Sequence, residues 1–252
     1  MNLNVGSDNA LAFGLLFART ACVIGALPML LGVAMPVRIR LVLSALIAAA
    51  LMPMAAIALP PASGLLPIAS MLLRELSIGL MLSFAAAIVT GAVMTAGSIL
   101  GGSMELNSGA ILRADVESPN LLSDGLGALA ALLFFVGGFH RMLIAALAHS
   151  VRTFPLGAFE IPDPHMMIRL GGSMFTLALG LALPLMVPLF VLSIAQGVIA
   201  RLAPQVNILT AAPAAIVLAG VVLLALDAGG VSGGMMRMWT GVMTQSMGWL
   251  DG

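Results

Sequence analysis

Six apolar runs leave this chain few ways to fold: approximately Ala10–Leu31, Leu41–Leu59, Leu76–Leu100, Leu126–Ala148, Leu170–Ala200 and Val206–Leu226. Each approaches or exceeds the ~20 residues an α-helix needs to cross a bilayer. The short alternating segments of an outer-membrane barrel are absent. The expected fold is therefore all-α, a polytopic membrane protein with about six hydrophobic helical segments and kinks. The third run also reads as starting earlier, near Leu65, and Pro53, Pro184 and Pro188 are expected to kink or break their helices. No basic stretch precedes the first run, which is long and lacks a clear cleavage site, so it is expected to stay in the mature protein.

Against this background, the stretch Gly101–Asn120 stands apart. In a chain that is 61% hydrophobic and 8% charged, it gathers Glu105, Arg113, Asp115 and Glu117, and it is broken by Gly and Pro. Irregular backbone at membrane depth needs protein or water beside it. The segment is therefore either a connector outside the bilayer or a loop folded back into a protein-lined space.

The remaining charges say less about partners. Ten basic residues, all Arg, balance ten acids, so net charge gives no pull toward nucleic acid. Sorting the loop arginines by side sets Arg74, Arg152, Arg169 and Arg237 against Arg38, Arg40, Arg113 and Arg201, and this tie assigns no orientation. Arg19 and Glu75 lie deep in apolar runs, where an ionisable group is costly and normally pairs. They are expected to form an interhelical or intersubunit pair. Arg74 and Arg141 read as snorkelling at helix ends, and Arg74 is not expected to pair with its neighbour Glu75, because adjacent residues point in different directions on a helix. The single cysteine, Cys22, reads as a buried structural thiol.

No catalytic, cofactor or metal constellation emerges: there is no H-E-x-x-H, no phosphate-binding Gly loop with Lys, and no Cys/His cluster. Ser83 and His140 are the best that an intramembrane hydrolase could draw on, and only by their place in apolar runs. Gly97 and Gly101 are spaced for close helix approach. Pro204 stops the fifth segment, and the short link that follows makes the last two segments a hairpin, with Gln205 and Asn207 offering amides at the turn. Beyond Leu226, Asp227–Gly234 reads as a flexible Gly-rich break. Met235, Met238, Trp239, Val242, Met243, Met247, Trp249 and Leu250 then line one face of a short helix suited to the membrane–water interface, or of a floppy tail.

Several of these stretches together resemble the FliR family of flagellar export-gate proteins and its injectisome homologues. Ala203-Pro204-Gln205-Val206-Asn207-Ile208 is similar to the family's hairpin turn, and Pro36-Val37-Arg38-Ile39-Arg40 with Pro53 to its P-x-R-x-R…P stretch. Glu75…Gly79, Ala96-Gly97, His140 and Ser150…Pro155-Leu156-Gly157 follow in order. Ser98, Glu105 and Ala214-Ala215 depart from the family pattern. The resemblance implies a non-enzymatic subunit without cofactor, in the bacterial inner membrane at the flagellar basal body. It would assemble with FliP-like and FliQ-like subunits and an FlhB-like export switch protein, beside membrane lipid and away from nucleic acid, and it would pass unfolded flagellar export substrates.

The same resemblance implies a FliP-like unit over 1–169, including a plug loop within 101–125, a FliQ-like hairpin over 170–226, and a Gly-rich linker with a short amphipathic tail over 227–252. The plug would be formed by Asn107, Ser108, Gly109, Ala110, Ile111, Leu112, Arg113, Ala114, Asp115 and Glu117, and the hairpin turn by Ala203, Pro204, Gln205 and Asn207. An injectisome subunit is the alternative within this class. A stand-alone small-solute transporter is the alternative outside it, but no internal repeat of the first three segments appears in the last three.

Overall fold

A computed structural model describes residues 3–32, 34–55, 64–104, 121–157, 165–202 and 208–250. In chain order the helices are α1 (Leu3–Gly25), α2 (Leu27–Leu31), α3 (Val37–Leu51), α4 (Leu65–Ser103), α5 (Leu121–Val136), α6 (Phe139–Thr153), α7 (His165–Leu202), α8 (Ile208–Leu226) and α9 (Ala228–Leu250). A 3-10 turn, Met52–Met54, carries Pro53 and ends α3. The all-α expectation holds among the described residues.

Among the described residues four helices are long and apolar enough to cross a membrane, or up to six spans if α5–α6 and α8–α9 each count as one bent span. The third run does start early, at Leu65. The fourth is broken where Gly138 takes φ +72°, a left-handed conformation that a side chain would strain. Pro184 and Pro188 do not break α7, which continues through both. The Gly-rich stretch after Leu226 is no linker: α9 runs through Gly229, Gly230, Gly233 and Gly234 as helix. Weak propensity there yields to tertiary packing, because Val231 and Met235 are buried.

The chain forms two compact units. The first comprises residues 1–88, 134–171 and 239–252. Its core is laid out by helical spacing: Ala12, Leu15, Leu16 and Val23 on α1, Ser44, Ala48 and Leu51 on α3, and Phe139, Leu143 and Leu147 on α6. Thr20 Oγ1 donates to the Ser44 carbonyl at 3.2 Å, tying α1 to α3. A Cβ on Gly79 of α4 would lie 2.6 Å from the Arg19 carbonyl oxygen and 2.7 Å from Cys22 Cβ, so glycine permits this crossing. Cys22 is half-buried at that crossing rather than enclosed as expected.

The second unit comprises residues 89–133 and 172–238. Val93, Leu100 and Met104 meet Leu126 and Ala130 of α5, Leu181, Leu185 and Leu189 of α7, Ile216 of α8, and Met235 of α9 in one core. Gly97 brings α4 against α5, since a Cβ there would fall 2.6 Å from Ser123 Cα. Ser123 Oγ donates to the Met94 carbonyl at 2.9 Å, one turn away on the same contact.

Candidate functional site: a buried charge cluster and an anchored loop

Within the first unit, three charged side chains meet where the sequence placed two. Arg19 falls on the buried stripe of α1, and Glu75 faces it from α4; both are fully buried. Arg19 Nε donates to Glu75 Oε2 at 2.6 Å. Its Nη1 donates to the Ser150 carbonyl at 2.8 Å and its Nη2 to the Phe154 carbonyl at 3.1 Å. The planar guanidinium thus bridges α1, α4 and the C-terminal end of α6 in one fixed geometry.

Arg74 overturns two expectations. It is 3% exposed rather than snorkelling. It also pairs with its sequence neighbour, Nη1 donating to Glu75 Oε1 at 3.0 Å and to the Pro155 carbonyl at 3.0 Å. Cα–Cβ directions one residue apart do diverge on a helix, but the long arginine stem reaches back to the second carboxylate oxygen. Its guanidinium also lies 5.9 Å from the centre of the Phe154 ring.

Two guanidinium groups therefore share one carboxylate, leaving a surplus positive charge among these three. Carbonyl oxygens of Ser150, Phe154 and Pro155 face it. They lie in the last turn of α6 and just beyond it, at the negative end of the helix dipole, and the Ser150 carbonyl also accepts from Phe154 N–H at 3.0 Å. The Arg19–Glu75 pair is thus intrachain. Both carboxylate oxygens of Glu75 are bonded to arginines, and its side chain has no exposed surface.

The other candidates are occupied locally. Ser83 Oγ donates to the Leu80 carbonyl at 2.9 Å. His140 packs against Phe135, ring centres 5.5 Å apart, and against Phe134 at 6.3 Å. Trp239, expected at a membrane–water interface, is wholly buried between Phe134 and Phe139. No group of three or more His, Cys, Asp or Glu that could hold a metal occurs among the described residues.

The proposed plug residues Asn107, Ser108, Gly109, Ala110, Ile111, Leu112, Arg113, Ala114, Asp115 and Glu117 lie outside the described residues, as do Ala203, Pro204, Gln205 and Asn207. The supports of the first loop are described. Met104, its last described residue on the α4 side, is 1% exposed in the second unit's core. On the α5 side, Ser123 is held by the Met94 carbonyl and by the close approach at Gly97. The described residues on either side of 105–120 thus pack in one body. The sequence offered no sign of the carbonyl cradle around Arg19, although Ser150 and Pro155 already stood among the residues that carried the resemblance.

A family model described as bacterial export proteins, family 1, matches residues 10–245. The chain belongs to this family. Among curated relatives it is similar to the flagellar biosynthetic protein FliR of Caulobacter vibrioides, with 27% identity over 230 residues, 90% of either chain. It is 32% identical to the FliR of Escherichia coli over 139 residues, 54% of this chain and 53% of that one. The FliR of Pectobacterium carotovorum is 32% identical over 142 residues, 55% of this chain and 54% of that one. The FliR family membership read from the hairpin turn and its companions is thereby established, and with the membrane-length helices it makes this a multi-pass protein of the bacterial inner membrane.

Proposed function

We propose that this chain is a non-enzymatic subunit of the flagellar type III protein export gate, and that its 107–117 loop helps close the pore. The observation that carries the reading is the packing of the two helix ends on either side of residues 105–120. In sequence, a polar, Gly-containing stretch joins the end of α4 to the start of α5, and those two helix ends pack in one apolar core. A gate must block ions at rest and still admit an unfolded polypeptide. A segment with few regular hydrogen bonds opens at low cost while its supports stay folded. Ile111 and Leu112 supply an apolar constriction that excludes water, Asn107, Ser108 and Gly109 allow tight turns, and Arg113, Asp115 and Glu117 pair across subunits or face the aqueous path.

Similarity to FliR proteins supports FliP-like and FliQ-like subunits and an FlhB-like switch protein as neighbours, and unfolded flagellar proteins as cargo. In this reading residues 1–169 play the FliP-like part and 170–226 the FliQ-like hairpin. Deleting Gly109–Arg113 tests the gate role. The expected result is an assembled complex of normal size that leaks ions across the inner membrane. A normal ion barrier with the complex intact would remove the loop from gating.

A further inference from the structure

We propose that the C-terminal part of α9, from Trp239 onward, is a detachable strap latched by one aromatic side chain onto the turn between α5 and α6. Trp239 is wholly buried. Its ring lies 4.9 Å from that of Phe134 and 5.5 Å from that of Phe139, stacked on the latter. Those two phenylalanines flank the turn at Gly138, which sits at φ +72° and receives no side-chain cap. The indole therefore bridges the residues on either side of this turn, adding to the turn's own backbone bonds from Gly138 N–H to the Phe135 carbonyl at 3.1 Å and from Arg141 N–H to the Gly138 carbonyl at 2.9 Å. Val242, Met243 and Ser246 continue the same face at helical spacing and are buried too.

Two features make the attachment reversible. The strap is intrinsically a poor helix: Gly241 and Gly248 interrupt it, and Thr244 and Ser246 turn their hydroxyls back onto the carbonyls of Thr240 and Met243. Its helicity depends on docking. The indole is also held by packing without a hydrogen bond, since the buried Trp239 Nε1 has no hydrogen-bond partner among the described residues. Among the described residues the buried His140 Nδ1 has none either. An unpartnered buried donor regains a hydrogen bond when it reaches water, which favours release. Docked, the strap fixes the Gly138 turn; released, it frees that turn while the Arg19–Glu75–Arg74 cluster stays closed.

Hydrogen exchange read by mass spectrometry on the full chain in its assembled complex tests this. For Trp239→Ala, exchange is expected to rise at least ten-fold over residues 239–248 and over the 137–142 turn, with α4 around Glu75 unchanged. Trp239→Phe keeps the stacking and removes the orphan N–H, so its strap is expected to exchange no faster than the wild type. Unchanged protection of 239–248 in Trp239→Ala would overturn the latch. General loss of protection, α4 included, would make Trp239 an ordinary core residue and also overturn it. Equal loss in Trp239→Phe would show that the indole N–H carries the attachment, against the inference.

Discussion

At Glu75, one carboxylate answers two buried cations, and that asymmetry predicts which substitution hurts more. Glu75→Gln strands both Arg19 and Arg74 without a counter-charge. Removing one partner of a buried pair typically costs about 3–5 kcal/mol, and here two partners lose it. Arg19→Met leaves Glu75 still bonded to Arg74, and its main loss is the donors to Ser150 and Phe154. The expected order in a thermal melt of the detergent-purified chain is therefore wild type, then Arg19→Met, then Glu75→Gln. Glu75→Gln should also lower recovery of the assembled complex. If Glu75→Gln melts with the wild type, the cluster is not a structural hub. Arg19 and Glu75 were legible in the sequence because charge deep in an apolar run must be answered. Arg74 was not, because its position at the edge of the third run looked like access to water. What encloses it is the chain around Phe154 and Pro155, a contact between distant segments that no local pattern announces.

Helices cross closely in this protein where glycine removes the side chain, and this gives a contrast between two alanines. At Gly79 the added carbon would press on the Arg19 carbonyl at 2.6 Å, a backbone atom of another helix that cannot swing aside. Overpacking of this kind costs about 1–3 kcal/mol. At Gly14, within α1, nothing lies within 4 Å of the added carbon. Gly14→Ala is expected to be neutral or to stabilise by up to ~1 kcal/mol through helix propensity. Melting temperatures of the two variants check this; equal values would mean that the crossing at Gly79 is not tightly packed. The apolar runs showed most of the helices, because a continuous apolar stretch of spanning length has few alternatives. They did not show the break at Gly138 or the helix through Gly229–Gly234. In the first, a glycine in an apolar run takes a left-handed turn; in the second, glycines stay helical under burial of Val231 and Met235. Glycine is compatible with both, and the choice is made by packing.

Across the whole molecule, length and coverage together identify a face that lipid alone cannot satisfy. The apolar window of α7, Met167–Ile199, has 33 residues, and 28% of it is buried by the chain itself. The window within α4 is also long, at 39 residues, but 72% of it is buried. At 1.5 Å per residue, the α7 window extends about 50 Å, against a hydrocarbon core of ~30 Å. Fitting it inside the core by tilt alone would need an inclination of about 53°, beyond the ~0–40° that transmembrane helices adopt. Phe190, 67% exposed, and Ile194, 53% exposed, lie on this uncovered apolar surface and are expected to meet another subunit there. This is what a subunit built to mature inside an oligomer should present, and it accords with loop arginines that tie between the two sides. Replacing Phe190 or Ile194 by a photo-crosslinking residue puts the argument to a direct test. In the intact apparatus, illumination should join this chain to another membrane subunit of the complex at these positions. The same residues in the chain expressed alone should give no such adduct. If the assembled complex yields only lipid adducts at both positions, α7 faces the bilayer along its length, and the case for a protein-covered α7 face fails.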